Sequence, residues 1–458
     1  MLALTHPAGL ASLASRGHWR LPKHIEAIDR KLIDIAAGRC KRLIVTMPPR
    51  HGKSSLISHY FPAWYLINNP HAKIILASYE ASFSAEWGRK AMGVVQEYGG
   101  SFGVEVKHNM MSGRHWAIKG AEGEMHTSGV GGPITGKGGN IILDDPVKNA
   151  EEAHSQVYRD KTWDWFNSTL YTRMESHGWA IVIQTRWHED DLAGRLIKHA
   201  SENWEILNLP ALAEENDPLG RSPGEALWPE KFDVAALETI KNQIGSYWFN
   251  ALYQQRPSAI EGNIFKRDWW KLYDQAPEKF DEVSIFWDMT FKDTKTGSYT
   301  VGQVWGRKGK EKYLIDQVRQ RCEFTTVLGM VRHLSKKYQN ARAHYIEEKA
   351  NGAAIISALK KEISGLIPIN PKESKEARAS AISPQVERGE VFLPRHCSFT
   401  EDFVEEHVSF PNAAHDDQVD TCSMALAILD GRVYRGAIGG GRDRIKVRTT
   451  KGVAPKFS

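Results

Sequence analysis

A glycine-lysine-serine triplet follows the first strongly apolar run of the chain. Residues 42–47 (RLIVTM) lead directly into Pro48-Pro49-Arg50-His51-Gly52-Lys53-Ser54-Ser55. In a phosphate-binding loop, glycine permits close backbone approach, lysine reaches the β- and γ-phosphates, and the next hydroxyl holds Mg²⁺ at a helix N-terminus. Residues 50–55 are therefore predicted to bind ATP with Mg²⁺, although Met47 stands where the full pattern has its first glycine.

A second apolar run, residues 140–143 (NIIL), ends in two carboxylates, Asp144 and Asp145. In an ATPase, a strand ending in this way predicts that Asp144 holds Mg²⁺ and that Asp145 orients and activates the attacking water. Arg50 is a candidate for stabilising charge in the transition state. Taken alone, the pair could also be an ordinary acidic turn before Pro146.

Two further segments belong to this predicted site. Residues 179–184 (WAIVIQ) end at Gln184-Thr185-Arg186, whose polar side chains could sense the γ-phosphate, with a structural role as the alternative for Arg186. The glycine-rich segment 129–139 (GVGGPITGKGG) precedes a strand and not a helix, so we interpret it as a loop beside the ATP site and not as a second phosphate loop. Its Lys137 is a candidate DNA contact.

The second half of the chain has acidic residues at the ends of predicted elements. Asp288 follows a strand (IFWD), Glu347 and Glu348 end another (HYIEE), and Asp416 and Asp417 begin the last helix. This order is typical of an RNase H-like nuclease, in which two divalent ions about 4 Å apart clamp the attacking and leaving oxygens of a phosphodiester. Carboxylates suit Mg²⁺ or Mn²⁺ because both ions prefer oxygen ligands.

These acids also have simpler interpretations, as solvated loop residues or helix-capping charges. Asp420 follows Asp416 by four residues, so a helix places it beside the predicted ligands in a supporting position. His415 could cap the helix or bind a metal. Lys375 and Arg378 (KEAR) could approach a DNA backbone or form a solvated helix face.

The elements that must position these residues predict an α/β chain. Near-continuous Ile, Val and Leu runs in the first half, separated by amphipathic stretches, favour a P-loop NTPase domain built on a parallel sheet. An RNase H-like α/β nuclease domain is predicted to follow. Its predicted elements are strands 283–287, 299–305, 311–317 and 343–346 and helices 325–336, 352–361 and 416–429. The predicted boundaries are 1–212 for the ATPase domain, 213–262 for a linker or lid, 263–435 for the nuclease domain and 436–458 for a flexible basic tail.

Composition narrows the class of protein. The chain has 458 residues, a formal net charge of +5, and four cysteines without a C-x-x-C pair, which excludes a cysteine-rich zinc site and a disulfide framework. No apolar run approaches the ~18 residues of a membrane span. Eight basic residues and one acidic residue lie between Arg432 and Ser458, so the remainder of the chain is slightly acidic.

The motifs together resemble those of the large terminase subunit of tailed double-stranded DNA bacteriophages. The resemblance is carried by PPRHGKS, GVGGPITGKGGNIILDDP, TRWHEDDLAGRL, YQQRP, IEEKANG and HDDQVD, in this order. It implies a packaging motor that hydrolyses ATP to move double-stranded DNA into an empty capsid and cuts the concatemer with a metal-dependent endonuclease. The family's usual catalytic glutamate is replaced by the shorter Asp145.

By motif, the resemblance implies ATPase roles for Arg50, Gly52, Lys53, Ser54, Asp144 and Asp145, and coupling of hydrolysis to movement near Gln184 and Thr185. It implies nuclease ligands at Asp288, Glu347 and Asp416 or Asp417, and it favours Glu347 over Glu348. Implied partners are DNA, a small terminase subunit and the portal protein of the procapsid, with assembly as a ring, expected to be a pentamer. We expect the host cytoplasm as the location, with no membrane association and no place in the mature virion.

Two other functions share parts of this pattern. A DNA repair helicase-nuclease would have both sites but would process DNA ends without a capsid. A non-catalytic, ATP-gated DNA-binding scaffold would keep the acids of the second half as structural residues. Deleting 436–458 is expected to weaken docking or packaging while sparing basal ATP hydrolysis.

Overall fold

The computed structural model describes residues 2–134, 136–199, 204–257, 264–289, 299–348, 350–413 and 415–431. The predicted basic tail, 436–458, lies outside these residues. The described residues form two compact units, one made of those within 2–273 and 373–423 and the other of those within 274–372 and 424–431. Among the described residues, no helix is both long and apolar enough to cross a membrane.

The strands are β1 (Arg42–Thr46), β2 (Lys73–Ser78), β3 (Val106–Ser112), β4 (His115–Ile118), β5 (Glu124–Gly129), β6 (Asn140–Asp144), β7 (Ala180–Gln184), β8 (Glu205–Asn208), β9 (Lys271–Tyr273), β10 (Glu282–Asp288), β11 (Thr300–Lys308), β12 (Glu311–Gln320), β13 (His344–Glu347), β14 (Leu366–Ile369) and β15 (Val391–Pro394).

The α-helices are α1 (Leu2–Thr5), α2 (Pro7–Ala14), α3 (Lys23–Ala36), α4 (Phe61–Asn68), α5 (Ala81–Tyr98), α6 (Ala150–His154), α7 (Gln156–Trp165), α8 (Leu192–His199), α9 (Val234–Trp248), α10 (Phe324–Lys337), α11 (Ala350–Leu359), α12 (Lys375–Glu387), α13 (Thr400–Ser409) and α14 (Asp417–Leu429). Shorter helical turns span Ser55–Tyr60, Gly99–Phe102, Phe166–Leu170, Tyr171–Arg173, Phe249–Tyr253 and Arg267–Trp269.

The first unit is built on an eight-stranded sheet in the order β3-β4-β5-β2-β6-β7-β1-β8. The six strands from β5 to β8 in this order are parallel, as predicted for the ATPase domain. Their side chains alternate between two cores: Leu43 and Val45 of β1 pack on one face, whereas Ile44 packs on the other. The runs are near-continuously apolar because both faces of the sheet are covered.

The sheet is mixed, however, because β3 and β4 extend it in antiparallel pairing at one edge. The predicted parallel sheet describes the six central and distal strands, and β3 and β4 are an antiparallel addition that was not predicted from the sequence. Most of β3 is exposed, so its sequence (VKHNMMS) lacks the apolar run that identified the central strands. Edge strands with one covered face give a weaker sequence signal than strands buried on both faces.

The second unit contains strands in the order β14-β13-β10-β11-β12. Strands β10, β11 and β12 form an antiparallel meander, and β13 lies parallel to both β10 and β14. Helices α10 and α11 supply apolar residues to the core beneath these strands, including Val327 and Ile355. The strand β14 was not predicted, because its sequence LIPI is short and carries a proline, which edge strands tolerate.

The segment Glu373–Ser423 belongs to the first unit, where α12 packs against α9. Ser246 of α9 donates hydrogen bonds to the Glu387 carboxylate from its backbone N–H (2.9 Å) and from its hydroxyl (2.5 Å). A bend at Gly245, with φ of 79°, brings the helix close to Pro384, and an added Cβ would lie 3.0 Å from the proline ring. Only glycine adopts this conformation readily so close to a neighbour.

Candidate active sites

The glycine-lysine-serine triplet lies where β1 turns into a helix. Arg50 and Gly52 adopt left-handed backbone conformations, with φ of 65° and 94°. The Leu56 backbone N–H donates to the Gly52 carbonyl at 3.1 Å, which starts the helical hydrogen bonding directly after the loop. A tight turn that aims the first backbone N–H groups of a helix outward is a ready anion site. The local structure is therefore that of a phosphate-binding loop.

Lys53 connects the ends of three parallel strands. Its side chain is almost fully buried, and Nζ lies 2.9 Å from Asp145 Oδ2 and 2.5 Å from Thr185 Oγ1. The Thr185 backbone N–H donates to the other Asp145 oxygen at 2.8 Å. The predicted phosphate-binding lysine, the predicted water-activating carboxylate and the predicted coupling segment thus lie together at the carboxyl edge of the sheet, where α/β proteins bind ligands.

Asp144 is completely buried beside the phosphate-binding loop. Its carboxylate accepts hydrogen bonds from Ser54 Oγ (2.9 Å) and Ser58 Oγ (2.7 Å). Burial, with a contribution from the adjacent Asp145 charge, raises the pKa of Asp144 to about 7. A serine hydroxyl beside a buried carboxylate fits the oxygen-ligand chemistry of Mg²⁺. Ser58 was not predicted, although its position four residues after Ser54 places both hydroxyls on one helix face.

Asp145 adopts a left-handed backbone conformation with φ of 44°. Its N–H donates to the Ile183 carbonyl at 2.8 Å and its own carbonyl accepts from the Tyr79 N–H at 3.2 Å. These bonds hold the residue between the ends of two neighbouring strands. Aspartate and asparagine tolerate this conformation better than other side-chain-bearing residues. The turn directs the carboxylate to Lys53.

Residues within 228–232 pack against the phosphate-binding loop and support it. Lys231 Nζ donates to the Arg50 carbonyl at 2.7 Å, and the Phe232 ring stacks on His51 with ring centroids 4.9 Å apart. His24 Nε2 contacts the His51 carbonyl oxygen at 3.0 Å. Burial lowers the pKa of His51 to about 4, so this side chain is a neutral packing element. Within the predicted ATP-binding run 50–55, the His51 side chain therefore supports the loop, whereas the Arg50 side chain is exposed.

The coupling segment after β7 is held from several sides. Gln184 is buried, and its backbone carbonyl accepts from the Met47 N–H at 3.4 Å. Arg186 Nε contacts the buried Asp191 carboxylate at 2.8 Å, and the Arg186 N–H donates to Gln255 at 3.0 Å. Of the two interpretations of Arg186, the structure favours the structural one, because its guanidinium is engaged within its own loop.

Thr185→Val is expected to lower the ATP hydrolysis rate by about tenfold to a hundredfold. The substitution keeps the side-chain shape and removes the hydroxyl that accepts from Lys53, and a hydrogen bond to a charged group contributes about 1.5–3 kcal/mol. Steady-state ATPase kinetics would measure the effect. Thr185→Ser retains the hydroxyl and should keep most of the activity; equal losses in both variants would contradict the role of this hydrogen bond.

The first nuclease acids lie at the ends of two adjacent parallel strands. Ile285, Phe286 and Trp287 of β10 pair with His344, Tyr345 and Ile346 of β13. Continuing this register by one residue sets Asp288 beside Glu347, on neighbouring strands about 4.8 Å apart. Both residues are nearly buried, with exposures of 7% and 6%.

The same register separates the two candidate glutamates. Paired residues of parallel strands share a sheet face, whereas Glu348 follows Glu347 and alternates to the other face. This register favours Glu347 over Glu348 as the neighbour of Asp288, and its role as a metal ligand stays a prediction. Two carboxylates side by side at a sheet edge fit the oxygen ligands that Mg²⁺ or Mn²⁺ requires.

The third acidic group lies at the start of α14, within the first unit. Lys375 Nζ lies 2.7 Å from both Asp416 Oδ1 and Asp420 Oδ2, and the buried Arg378 guanidinium also contacts Asp420. Burial lowers the pKa of Lys375, but the attraction of Asp420 and Asp416 outweighs burial and raises it. Asp417 is 3% exposed. The supporting position predicted for Asp420 agrees with this arrangement.

Lys375 and Arg378 were predicted either to contact DNA or to form a solvated helix face. Arg378 is 7% exposed, and besides Asp420 it donates to the Glu373 carbonyl at 3.0 Å. This side chain is not on a solvated face. Both cations instead form ion pairs with aspartates at the start of α14 and offset their negative charge. Lys137, the other candidate DNA contact, is partly exposed in the loop before β6.

Arg378→Met is expected to lower the free energy of unfolding by about 3–5 kcal/mol. The substitution leaves the buried Asp420 with one cation fewer, and breaking a buried ion pair has a cost of this size. Urea denaturation followed by circular dichroism would measure it. Exposed Arg332, which pairs with Glu362 on the surface, is the matched control, and Arg332→Met should change stability by less than about 1 kcal/mol. An equally small loss for Arg378→Met would mean that the ion pair contributes little.

Comparison with known proteins decides the family. Residues 44–272 match the family described as terminase large subunit, T4likevirus-type, N-terminal, and residues 285–428 match the terminase RNaseH-like domain. The first match alone covers half of the chain. This chain belongs to the large terminase family. The predicted combination of an ATPase domain and an RNase H-like nuclease domain is thereby confirmed.

Solved structures of other terminases are similar at low sequence identity. The large terminase of a thermophilic bacteriophage is 12% identical, with a TM-score of 0.48, over 87% of this chain and 98% of that one. The complex of that terminase with ATP-gamma-S gives 12% identity and a TM-score of 0.47 over the same shares. The nuclease of the thermophilic phage G20c with bound magnesium is 16% identical, with a TM-score of 0.29, over 37% of this chain and 98% of that one. No curated protein sequence matches significantly.

Membership of the family establishes the general activity. A large terminase is an ATPase and a metal-dependent nuclease that acts in viral DNA packaging, and it therefore binds DNA. ATP and divalent metal ions are its cofactors, as predicted from the two motif sets.

Proposed function

We propose that this terminase hydrolyses ATP at the site formed by Lys53, Ser54, Asp144 and Asp145 and uses the energy to drive double-stranded DNA into an empty capsid. We further propose that it cuts the DNA concatemer with metal ions held by Asp288, Glu347 and Asp416 or Asp417. The observation that best supports the first proposal is the contact of Lys53 with both Asp145 and Thr185, which joins the phosphate-binding, water-activating and coupling residues.

In the ATPase site, Ser54 and Asp144 would hold the Mg²⁺, which neutralises charge on the β- and γ-phosphates when bound. Lys53 would contact the γ-phosphate, and Asp145 would orient the attacking water. The exposed Arg50 would contribute positive charge to the transition state. Gln184 and Thr185 lie at the end of β7, so a change in the contact between Lys53 and Thr185 would be transmitted to that strand.

In the nuclease, the proposed ligands come from β10, β13 and the start of α14. Metal ions held there would polarise the scissile phosphate and supply a nucleophilic water. Lys375 and Arg378 limit the repulsion among the aspartates at the start of α14 and hold the Asp416 and Asp420 side chains in place.

The proposed organisation is an ATPase domain at 1–212, a linker or lid at 213–262, a nuclease domain at 263–435 and a basic tail at 436–458. Contacts of Lys231 and Phe232 with the phosphate-binding loop support a lid role for the second segment. We propose that the basic tail is an arm for the portal or for DNA.

The proposed partners follow from the family. They are a small terminase subunit that recognises DNA and the portal of the procapsid, on which the large subunit would assemble as a ring of five. The motor would act in the host cytoplasm and be absent from the mature virion. Because residues 1–431 are slightly acidic overall, DNA contact would come from local basic side chains such as Lys137 and not from a uniformly basic surface.

Packaging of linear DNA into purified empty capsids, scored as DNA protected from added nuclease, tests the proposal directly. ATP-dependent protection that requires both capsid and Lys53 is the expected result. Strand separation of a duplex without capsids would instead favour a helicase-nuclease. Absence of both protection and ATP hydrolysis would favour a non-catalytic scaffold.

A further inference from the structure

Three potential metal ligands converge at the edge of the first sheet, on the hairpin formed by β4 and β5. His115 and His126 are directly opposite each other in the antiparallel register, and Glu124 precedes His126 by two residues. Residues two apart on a strand share a face, and so do directly paired residues. Because of this strand pairing, the three side chains lie on one face of the hairpin.

The distances bring their ligand atoms to one point. Glu124 Oε2 lies 2.9 Å from His115 Nε2 and 3.1 Å from His126 Nε2. The two imidazole rings stack with centroids 3.8 Å apart, and one ligand atom from each residue lies within 4.8 Å of the others. Among the described residues, this is the one group of three or more His, Cys, Asp or Glu side chains with such spacing.

The burial and hydrogen bonding of the group suit a bound cation. His126 is 8% exposed, and its Nε2 makes no well-formed hydrogen bond despite its closeness to Glu124. A buried polar atom without a hydrogen bond of good geometry is uncommon and calls for an explanation.

We propose that His115, Glu124 and His126 form a binding site for a first-row divalent transition-metal ion, with Zn²⁺ as the representative. Two imidazoles and one carboxylate are a recognised donor set for zinc, with water completing a tetrahedron. His115 is the most exposed of the three, with 28% of its side chain accessible, which leaves room for that water.

This site is distinct from the nuclease ligands in residues and in chemistry. Asp288, Glu347, Asp416 and Asp417 offer only oxygen, which suits Mg²⁺ or Mn²⁺, whereas the hairpin offers two nitrogens. A bound ion would cross-link β4 to β5, the strand that runs into the glycine-rich loop containing Lys137. Its expected effect is to stabilise this sheet edge and not to take part in hydrolysis.

Zinc binding to the full-length chain tests the proposal, with Asp288→Asn and Glu347→Gln in the parent to remove the nuclease ligands and no nucleotide added. Equilibrium dialysis should find one tight zinc equivalent in this parent. Glu124→Gln or His115→Asn should weaken that equivalent by at least about tenfold. The matched control is His108→Asn, which changes an exposed histidine of the neighbouring β3 and should leave zinc binding unchanged.

Two further readouts keep the test independent of activity and of misfolding. Co²⁺ in place of Zn²⁺ should give the visible absorption of a tetrahedral nitrogen- and oxygen-ligated ion in the parent and lose it in His115→Asn, a variant of a partly exposed side chain. Zinc should raise the unfolding temperature of the parent and not that of Glu124→Gln. Equal zinc binding by the parent and both ligand variants, or an equal loss in His108→Asn, would overturn the proposal.

Discussion

Lys53→Ala is expected to reduce ATP hydrolysis by about 10²–10³-fold or more, the loss typical when a preorganised charge-stabilising group is removed from an active site. Lys53 is buried between Asp145 and Thr185, so the alanine variant also leaves the Asp145 carboxylate without its cation. Packaging should be abolished along with hydrolysis. The nuclease, whose proposed ligands lie on other elements, should retain activity on plasmid DNA.

A matched control separates the effect of losing Lys53 from the effect of removing a lysine elsewhere on the protein. Lys31 pairs with Glu205 on the surface, and Lys31→Ala should leave both ATP hydrolysis and stability close to those of the parent. Single-turnover ATPase assays, with circular dichroism to verify folding, would measure both variants. Substantial hydrolysis by Lys53→Ala would refute the assignment of the phosphate-binding loop.

Asp288→Asn is expected to reduce DNA cleavage by about 10³-fold or more while ATP hydrolysis continues. The substitution preserves size and removes the negative charge that a metal ion requires, and such an ion supplies several kcal/mol of transition-state stabilisation, with about 1.4 kcal/mol for each tenfold in rate. Plasmid cleavage in Mg²⁺ and in Mn²⁺ would measure the loss. Glu347→Gln should behave in the same way.

The control for the nuclease prediction is Asp268→Asn, which changes an exposed aspartate and should cut DNA normally. Glu348→Gln is a more demanding comparison, because its side chain alternates to the other face of the strand and should matter less than Glu347. If Asp288→Asn cut plasmid DNA in Mn²⁺ at the parent rate, the nuclease site would have to be placed elsewhere. Lys53→Ala is therefore expected to lose ATP hydrolysis and keep DNA cleavage, whereas Asp288→Asn is expected to keep ATP hydrolysis and lose DNA cleavage.

Much of the ATPase site could be predicted because its residues follow apolar strands directly along the chain. Lys53, Asp144 and Thr185 each come within a few residues of the end of a buried strand, and parallel strands bring their carboxyl ends to one edge. The contacts that depend on tertiary packing could not be predicted in this way. The stacking of Phe232 on His51 has no local sequence signal, because the two residues lie far apart along the chain.

The nuclease residues show the same division. Asp288 and Glu347 were predicted as metal ligands from their places at strand ends, and the register of β10 and β13 then favours Glu347 over Glu348. Arg378 was misjudged as a surface cation because its burial depends on how α12 packs, and its helix has no clear apolar stripe to reveal the buried face. The hairpin histidines were missed because cross-strand pairing is not visible in a linear sequence.

The backbone of Asp145 bears on why an aspartate suits this position. With φ of 44°, this position favours a short side chain that tolerates a left-handed turn, and the turn itself delivers the carboxylate to Lys53. A glutamate at this position would add a methylene and also meet a less favourable backbone. Substituting Asp145 is therefore expected to alter the shape of the turn as well as the reach of the carboxylate.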